Sequence, residues 1–231
     1  MSAFDLAVLA GPVSKATSSL AWTAAGLAWV LAVPLFYLTK YLAVVPHEGG
    51  HALIAKLLFQ KLDSIRFKRS GDGVTKFARN LPWVADVPVT LAGYLGPSLF
   101  GLLAAEVLTR GGTTVVLWGS LVFLVIMLIA VRGLVGWLVV PGLMVVIGYV
   151  ALKVPQPHQT LVTYVWVWFL LIVPVEHMFF FLRNKHYDNS SSDSGQMERL
   201  TRFPSALWAL VFLAGTIAAL AYGGSLLLRP A

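Results

Sequence analysis

The sequence has no cysteine among its 231 residues. That excludes a disulfide framework, a thiol nucleophile, an iron–sulfur cluster and any thiolate zinc site. Charge is also scarce. Asp, Glu, Lys and Arg make up 12% of the chain against 58% hydrophobic residues, and a mean hydropathy of +0.80 lies outside the soluble globular range. Any bound metal must therefore draw its ligands from carbonyls, water, or a short list of five His and ten acidic residues. No internal repeat is found, which speaks against a transporter assembled from inverted halves.

What the sequence has in abundance is long apolar runs. About twenty helical residues cross about 30 Å of hydrocarbon, and such runs read as Ser19–Leu38, Tyr41–Gln60, Val87–Thr109, Thr114–Val131, Gly133–Leu152, Leu161–Leu182 and Ser205–Leu228. The expected fold is an all-α polytopic membrane protein of about seven transmembrane helices, a single integral membrane domain over residues 1–231 that sits in a lipid bilayer. Counting Lys and Arg on alternate sides places Lys40, Arg110, Lys153 and Arg229 on one side and the other thirteen of the seventeen opposite them. The positive-inside rule then puts the N-terminus and the basic loops in the cytoplasm, and it accounts for the net charge of +7 without any nucleic-acid partner. No cleavable signal is read at the N-terminus, where Asp5 precedes any basic residue, so an unprocessed chain is expected.

The second run, the helix over about 41–60, carries Pro46-His47-Glu48-Gly49-Gly50-His51, a His-Glu-x-x-His motif. Residues four apart on a helix share a face, with Cβ atoms about 5–6 Å apart, so His47 and His51 can grip one zinc ion. Glu48 lies beside that face, where it can take a proton from the attacking water without being a ligand. A chain of this composition would show the pattern by chance in roughly one case in five hundred. Burying such residues at membrane depth costs roughly 2.5–3.5 kcal/mol for a charged group at a helix centre, so intramembrane ionisable groups mark functional sites. The competing reading is a polar cluster that only pins helices together. Gly49 and Gly50 admit two readings as well: room for a substrate backbone and a water path, together with Pro46, or ordinary close packing of helices.

The loop over about 61–80 alternates apolar and basic residues through Ser64–Ser70, turns at Gly71-Asp72-Gly73 and resumes at Val74–Phe77. This pattern predicts a short β-hairpin directly after the helix that carries the two His. Its basic residues also suit anionic lipid headgroups. A second polar loop, about 183–203, contains the low-complexity run Asn189–Ser194.

These motifs resemble the site-2 protease family of intramembrane zinc metallopeptidases, and the likeness is best to its compact bacterial branch. The matching stretches are His47–Leu53, Ala92–Ser98, Val131–Gly136, Ser192-Asp193, Leu200–Pro204 and Trp208. The resemblance implies a zinc-dependent endopeptidase of the cell membrane, acting on peptide bonds in or near transmembrane segments of membrane-protein substrates. It also implies a β edge beside the zinc helix that receives an extended substrate. Better-known members take their third zinc ligand from an Asp-Gly pair in a later span, but the sole such pair here, Asp72-Gly73, lies in the hairpin loop. Ser192-Asp193 matches a recurrent segment of the compact branch on the cytoplasmic side that receives the end of the zinc helix, so the resemblance implies Asp193 as the third ligand, with a plain helix N-cap at Ser192-Asp193 as its competing reading and Glu176 as the alternative ligand. Glu106 stands one turn from Arg110 and is expected to form an intrahelical ion pair. A non-catalytic membrane scaffold or regulator that keeps the fold but cleaves nothing is the rival to the peptidase.

Overall fold

The computed structural model describes residues 17–229. The N-terminal segment, with Asp5 and Lys15, lies outside them. The described chain runs α1 (Ser18–Ala32), α2 (Phe36–Leu57), β1 (Leu62–Phe67), β2 (Gly73–Phe77), α3 (Trp83–Thr109), α4 (Thr113–Ala130), β3 (Val131–Arg132), α5 (Leu134–Lys153), α6 (Gln156–Arg183), a 3-10 turn (His186–Asp188), α7 (Asp193–Thr201) and α8 (Ser205–Leu227).

Where about seven spans are expected, the described residues hold five, or six. Helices α3, α4, α5, α6 and α8 are each long and apolar enough to cross a membrane, and α1 with α2 adds a sixth only if the pair is taken as one broken span. The two meet at 100° across residues 33–35. Pro34 breaks the ladder because it has no N–H to donate, and hydropathy, which scored Ser19–Leu38 as continuous, is blind to that. The Thr39 hydroxyl takes up a loose carbonyl at the break, donating to Leu31 O at 2.7 Å. At 15 residues α1 is about 22 Å long, short of the hydrocarbon thickness.

Packing follows side-chain size. Ala21, Ala24, Ala28 and Ala32 recur at helical spacing on one face of α1, all at most 1% exposed, and they belong to one apolar cluster with Val167, Phe169 and Leu171 of α6. Helix α2 lies close against α3. A Cβ on Gly50 would collide with the Ala92 carbonyl and stand 3.3 Å from the Gly96 Cα, while one on Gly49 would overlap Phe123. Both glycines of the motif are thus consumed by packing, and neither opens room for a peptide or for water.

The hairpin forms where expected, with β1 and β2 antiparallel and in register from Ser64 opposite Lys76 to Phe67 opposite Gly73. The sheet gains a third strand, because β3 pairs in parallel with β1, Ile65 beside Val131 and Arg66 beside Arg132. The strand order is β2-β1-β3. Ile65, Phe67 and Val131 are buried on the inner face among residues of α2, α4 and α5, while Arg66, Lys76 and Arg132 are exposed on the outer one. The hairpin folds back along α2 until its tip reaches Lys40, whose Nζ donates to Ser70 O at 2.8 Å and Arg69 O at 3.2 Å. Lys40, counted above on the side opposite the hairpin, in fact touches it.

Candidate metal and catalytic site

Helix α2 sets His47 and His51 one turn apart, with ring centroids 5.0 Å apart at 87°. Asp193 reaches them from α7, 142 positions after His51. Ser192 caps that helix, its Oγ accepting from Gly195 N at 3.1 Å, so the capping role falls to Ser192 and the neighbouring carboxylate is left free to point inward. Two polar contacts tie α7 to the start of α3: Gln196 Nε2 donates to Asp86 Oδ1 at 2.7 Å, and Trp83 Nε1 donates to Leu200 O at 2.8 Å. Met197 is fully buried beneath α7.

Asp193 Oδ2 ends 3.5 Å from the Nε2 of His47 and 3.5 Å from the Nε2 of His51. It is buried and has no hydrogen-bond partner. A buried carboxylate oxygen left in that state calls for a cation or a water as its partner. Ligand atoms held about 2.0–2.2 Å from a tetrahedral zinc stand about 3.4 Å from one another; the two distances to Asp193 match that value, and all three ligand atoms lie within 4.8 Å of one another. Among the described residues His47, His51 and Asp193 form a group able to hold a metal. Glu176 does not join it, although it lines the same cavity. Burial raises the affinity of Asp193 for a proton, but the imidazoles, His51 foremost, outweigh it and hold this carboxyl below the usual carboxylate range. The ionised form is the one a metal requires.

The surrounding groups orient the cluster. His51 Nδ1 stands 2.7 Å from Val89 O. A carbonyl can only accept, so Nδ1 carries the proton and the lone pair on Nε2 faces Asp193. Glu48 is 3% exposed and accepts from Thr75 Oγ1 through Oε2 at 2.6 Å, which leaves Oε1 facing the cluster, 3.9 Å from His47 Nε2. Gly93 makes the convergence possible: a Cβ there would overlap both the Asp193 carboxylate and the His51 ring. A cavity of about 930 Å³ opens over the cluster, walled by the hairpin tip, Tyr94, His177 and the loop before α7. Tyr94 stacks edge-on against His47 at 5.0 Å between centroids and touches His177 at 5.7 Å.

Several of these partners went unread in the sequence. The alternating pattern assigns Thr75 no role, Val89 contributes only a backbone carbonyl, and His177 belongs to no motif. The alternation in the hairpin was the one available signal, since it puts Thr75 on the inner face with Ile65. Arg132 folds back instead of facing the site, its Nη1 donating to Ile129 O at 2.9 Å and Val131 O at 2.8 Å. Glu106 and Arg110 form the expected intrahelical pair at 2.7 Å.

A bundle of membrane-length apolar helices around a His, His, Asp cluster with an adjacent buried glutamate defines a multi-pass membrane protein with a group able to hold a metal. The chain belongs to the Peptidase M50B-like family, whose model matches residues 20–223, and through it to the site-2 proteases. No curated protein and no solved structure matches it.

Proposed function

We propose that the chain is an intramembrane zinc metalloprotease that hydrolyses peptide bonds in or near transmembrane segments of membrane proteins, with His47, His51 and Asp193 as zinc ligands and Glu48 as the catalytic base. The observation that carries this reading is Asp193 Oδ2, buried without a hydrogen bond and equidistant from two imidazole nitrogens. Zinc bound there supplies a Lewis acid that polarises the scissile carbonyl and acidifies water.

The chain's own groups do the rest. Thr75 occupies Glu48 Oε2, so Oε1 accepts the proton of the attacking water and later delivers it to the leaving amine. Val89 O fixes the tautomer of His51 and keeps Nε2 available as a ligand. Packing of the hairpin and α3 around Glu48 keeps bulk water from the base, which strengthens each electrostatic contact at the site. The free edge of β2 borders the cavity, where an extended substrate would add as a further strand. We place the protein in a cell membrane with the hairpin and the connection from α6 to α8 on the cytoplasmic side, on the bias of basic residues.

The test is proteolysis of a single-span reporter by the purified protein in lipid. Glu48→Gln should lower cleavage by about 10²–10⁴-fold while zinc content, measured by elemental analysis, stays at the wild-type level. Equal cleavage by the two proteins sinks the reading. A wild type that binds zinc and cleaves no reporter points to the scaffold alternative.

A further inference from the structure

The outer face of the small sheet carries a second charged feature, remote from the His, His, Asp cluster. The parallel pairing of β1 with β3 sets Arg66 directly beside Arg132, with their backbones about 4.8 Å apart and their side chains on one face. Lys76 of β2 stands on the same face, diagonal to Arg66 through its own partner Ser64. Like charges set side by side on neighbouring strands destabilise a sheet unless something neutralises them. Among the described residues nothing does so. The carboxylates of the hairpin are engaged elsewhere, Asp63 with the Ser64 hydroxyl and Asp72 with the Ser70 hydroxyl. Among the described residues the one ion pair that joins Lys or Arg to a carboxylate is Arg110 with Glu106, outside the sheet.

The position of the pair indicates the missing anion. Helix α4 has 18 residues and spans about 27 Å, close to the thickness of the hydrocarbon core, so β3 at its end lies at the depth where headgroups begin. The flanking surface suits acyl chains: Ile129, Leu134 and Leu138 are 72%, 69% and 65% exposed, and Trp137 beside them is the residue type that favours the membrane interface. Arg132 is anchored by Nη1 on the carbonyls of Ile129 and Val131, and among the described residues its other N–H groups and the exposed Arg66 side chain have no hydrogen-bond partner. Guanidinium groups bind phosphate through paired N–H donors.

We propose that Arg66 and Arg132 together bind the phosphate of an anionic phospholipid in the leaflet that meets the α4–α5 turn. This lipid site stands whether or not the chain is a protease. It fixes the sheet, and with it the hairpin, against the bilayer surface.

The experiment is native mass spectrometry of the full-length protein released from mixed micelles of phosphatidylglycerol and phosphatidylcholine. Wild type should retain phosphatidylglycerol over phosphatidylcholine by about tenfold, and Arg66→Gln should bring the ratio down to about two, since each basic residue at a membrane surface favours anionic lipid by about fivefold. Lys61→Gln, a basic residue outside the paired strands, should leave the ratio unchanged. Arg66 has no packing role to lose, and the wild type alone gives a second reading: its preference should fall steeply as salt rises. A wild type without preference, an Arg66→Gln protein that keeps it, or a preference indifferent to salt would each overturn the proposal. So would full displacement of the lipid by millimolar inorganic phosphate, which would mark a site for soluble anions.

Discussion

The α4–α5 pair and the α2–α3 pair are built from the same kinds of residue and meet opposite surroundings. Over their most apolar stretches α4 and α5 have mean hydropathies of 2.4 and 2.2, yet only 28% and 22% of those stretches is buried within the protein, whereas α3 has 1.5 and is 50% buried. The most apolar helices are therefore the ones left to lipid. The helices that hold the buried polar cluster are less apolar and are covered by protein, because an intramembrane His, Glu or Asp must find partners that lipid cannot supply. Glycine divides the same way. Gly119 in α4 and Gly142 in α5 face open space, while Gly50 and Gly93 sit where a single Cβ would strike a backbone carbonyl or the His, His, Asp cluster.

The contrast can be broken most severely at the cluster. Asp193→Ala should lower zinc affinity by about a hundredfold or more, the scale on which even groups that only orient metal ligands act, and Glu176→Ala should leave it nearly unchanged. Zinc titration of the two purified variants checks this, and the reverse order would reassign the third ligand. The packing comes next. Gly50→Leu should destabilise the protein by about 3 kcal/mol through overpacking against Ala92, whereas Gly142→Leu, which points to lipid, should keep or raise the thermal midpoint. Equal losses at the two positions would erase the distinction between the pairs.

A smaller effect is expected at the hairpin. Thr75→Val keeps the shape and removes one hydrogen bond to Glu48, worth about 1.5–3 kcal/mol for a charged acceptor, so kcat on a reporter should fall about tenfold or more with zinc content intact. The smallest change is Ser192→Ala, which removes the α7 cap and should cost about 1 kcal/mol, seen as earlier hydrogen exchange in residues 193–201 with the spans unaffected.

Much of this was open to reading from local pattern. The i, i+4 spacing of His47 and His51, the alternation through Ser64–Phe77 and the turn at Gly71–Gly73 are short-range signals, and each element stands where its pattern put it. The misses share a physical cause. Pro34 breaks a run that hydropathy averages as continuous, and β3 is two residues long, too short for any period to register. The direction in which Gly49 and Gly50 face depends on Phe123 and Ala92, which no spacing along the chain reveals. Asp193 lies between these cases: the sequence could offer it both as a cap and as a ligand, and only the fold separates the two by giving the cap to Ser192.

That separation has a mechanical consequence. Two of the three cluster residues lie one turn apart on a single helix and the third sits on a nine-residue helix fastened to α3 by Gln196 and Trp83. Any ion that engages all three works as a rivet between a membrane helix and a surface segment. The strength of the metal grip and the docking of α7 are then one equilibrium seen from two ends, so loosening the Gln196 or Trp83 fastening should let the ion go without altering any atom that touches it.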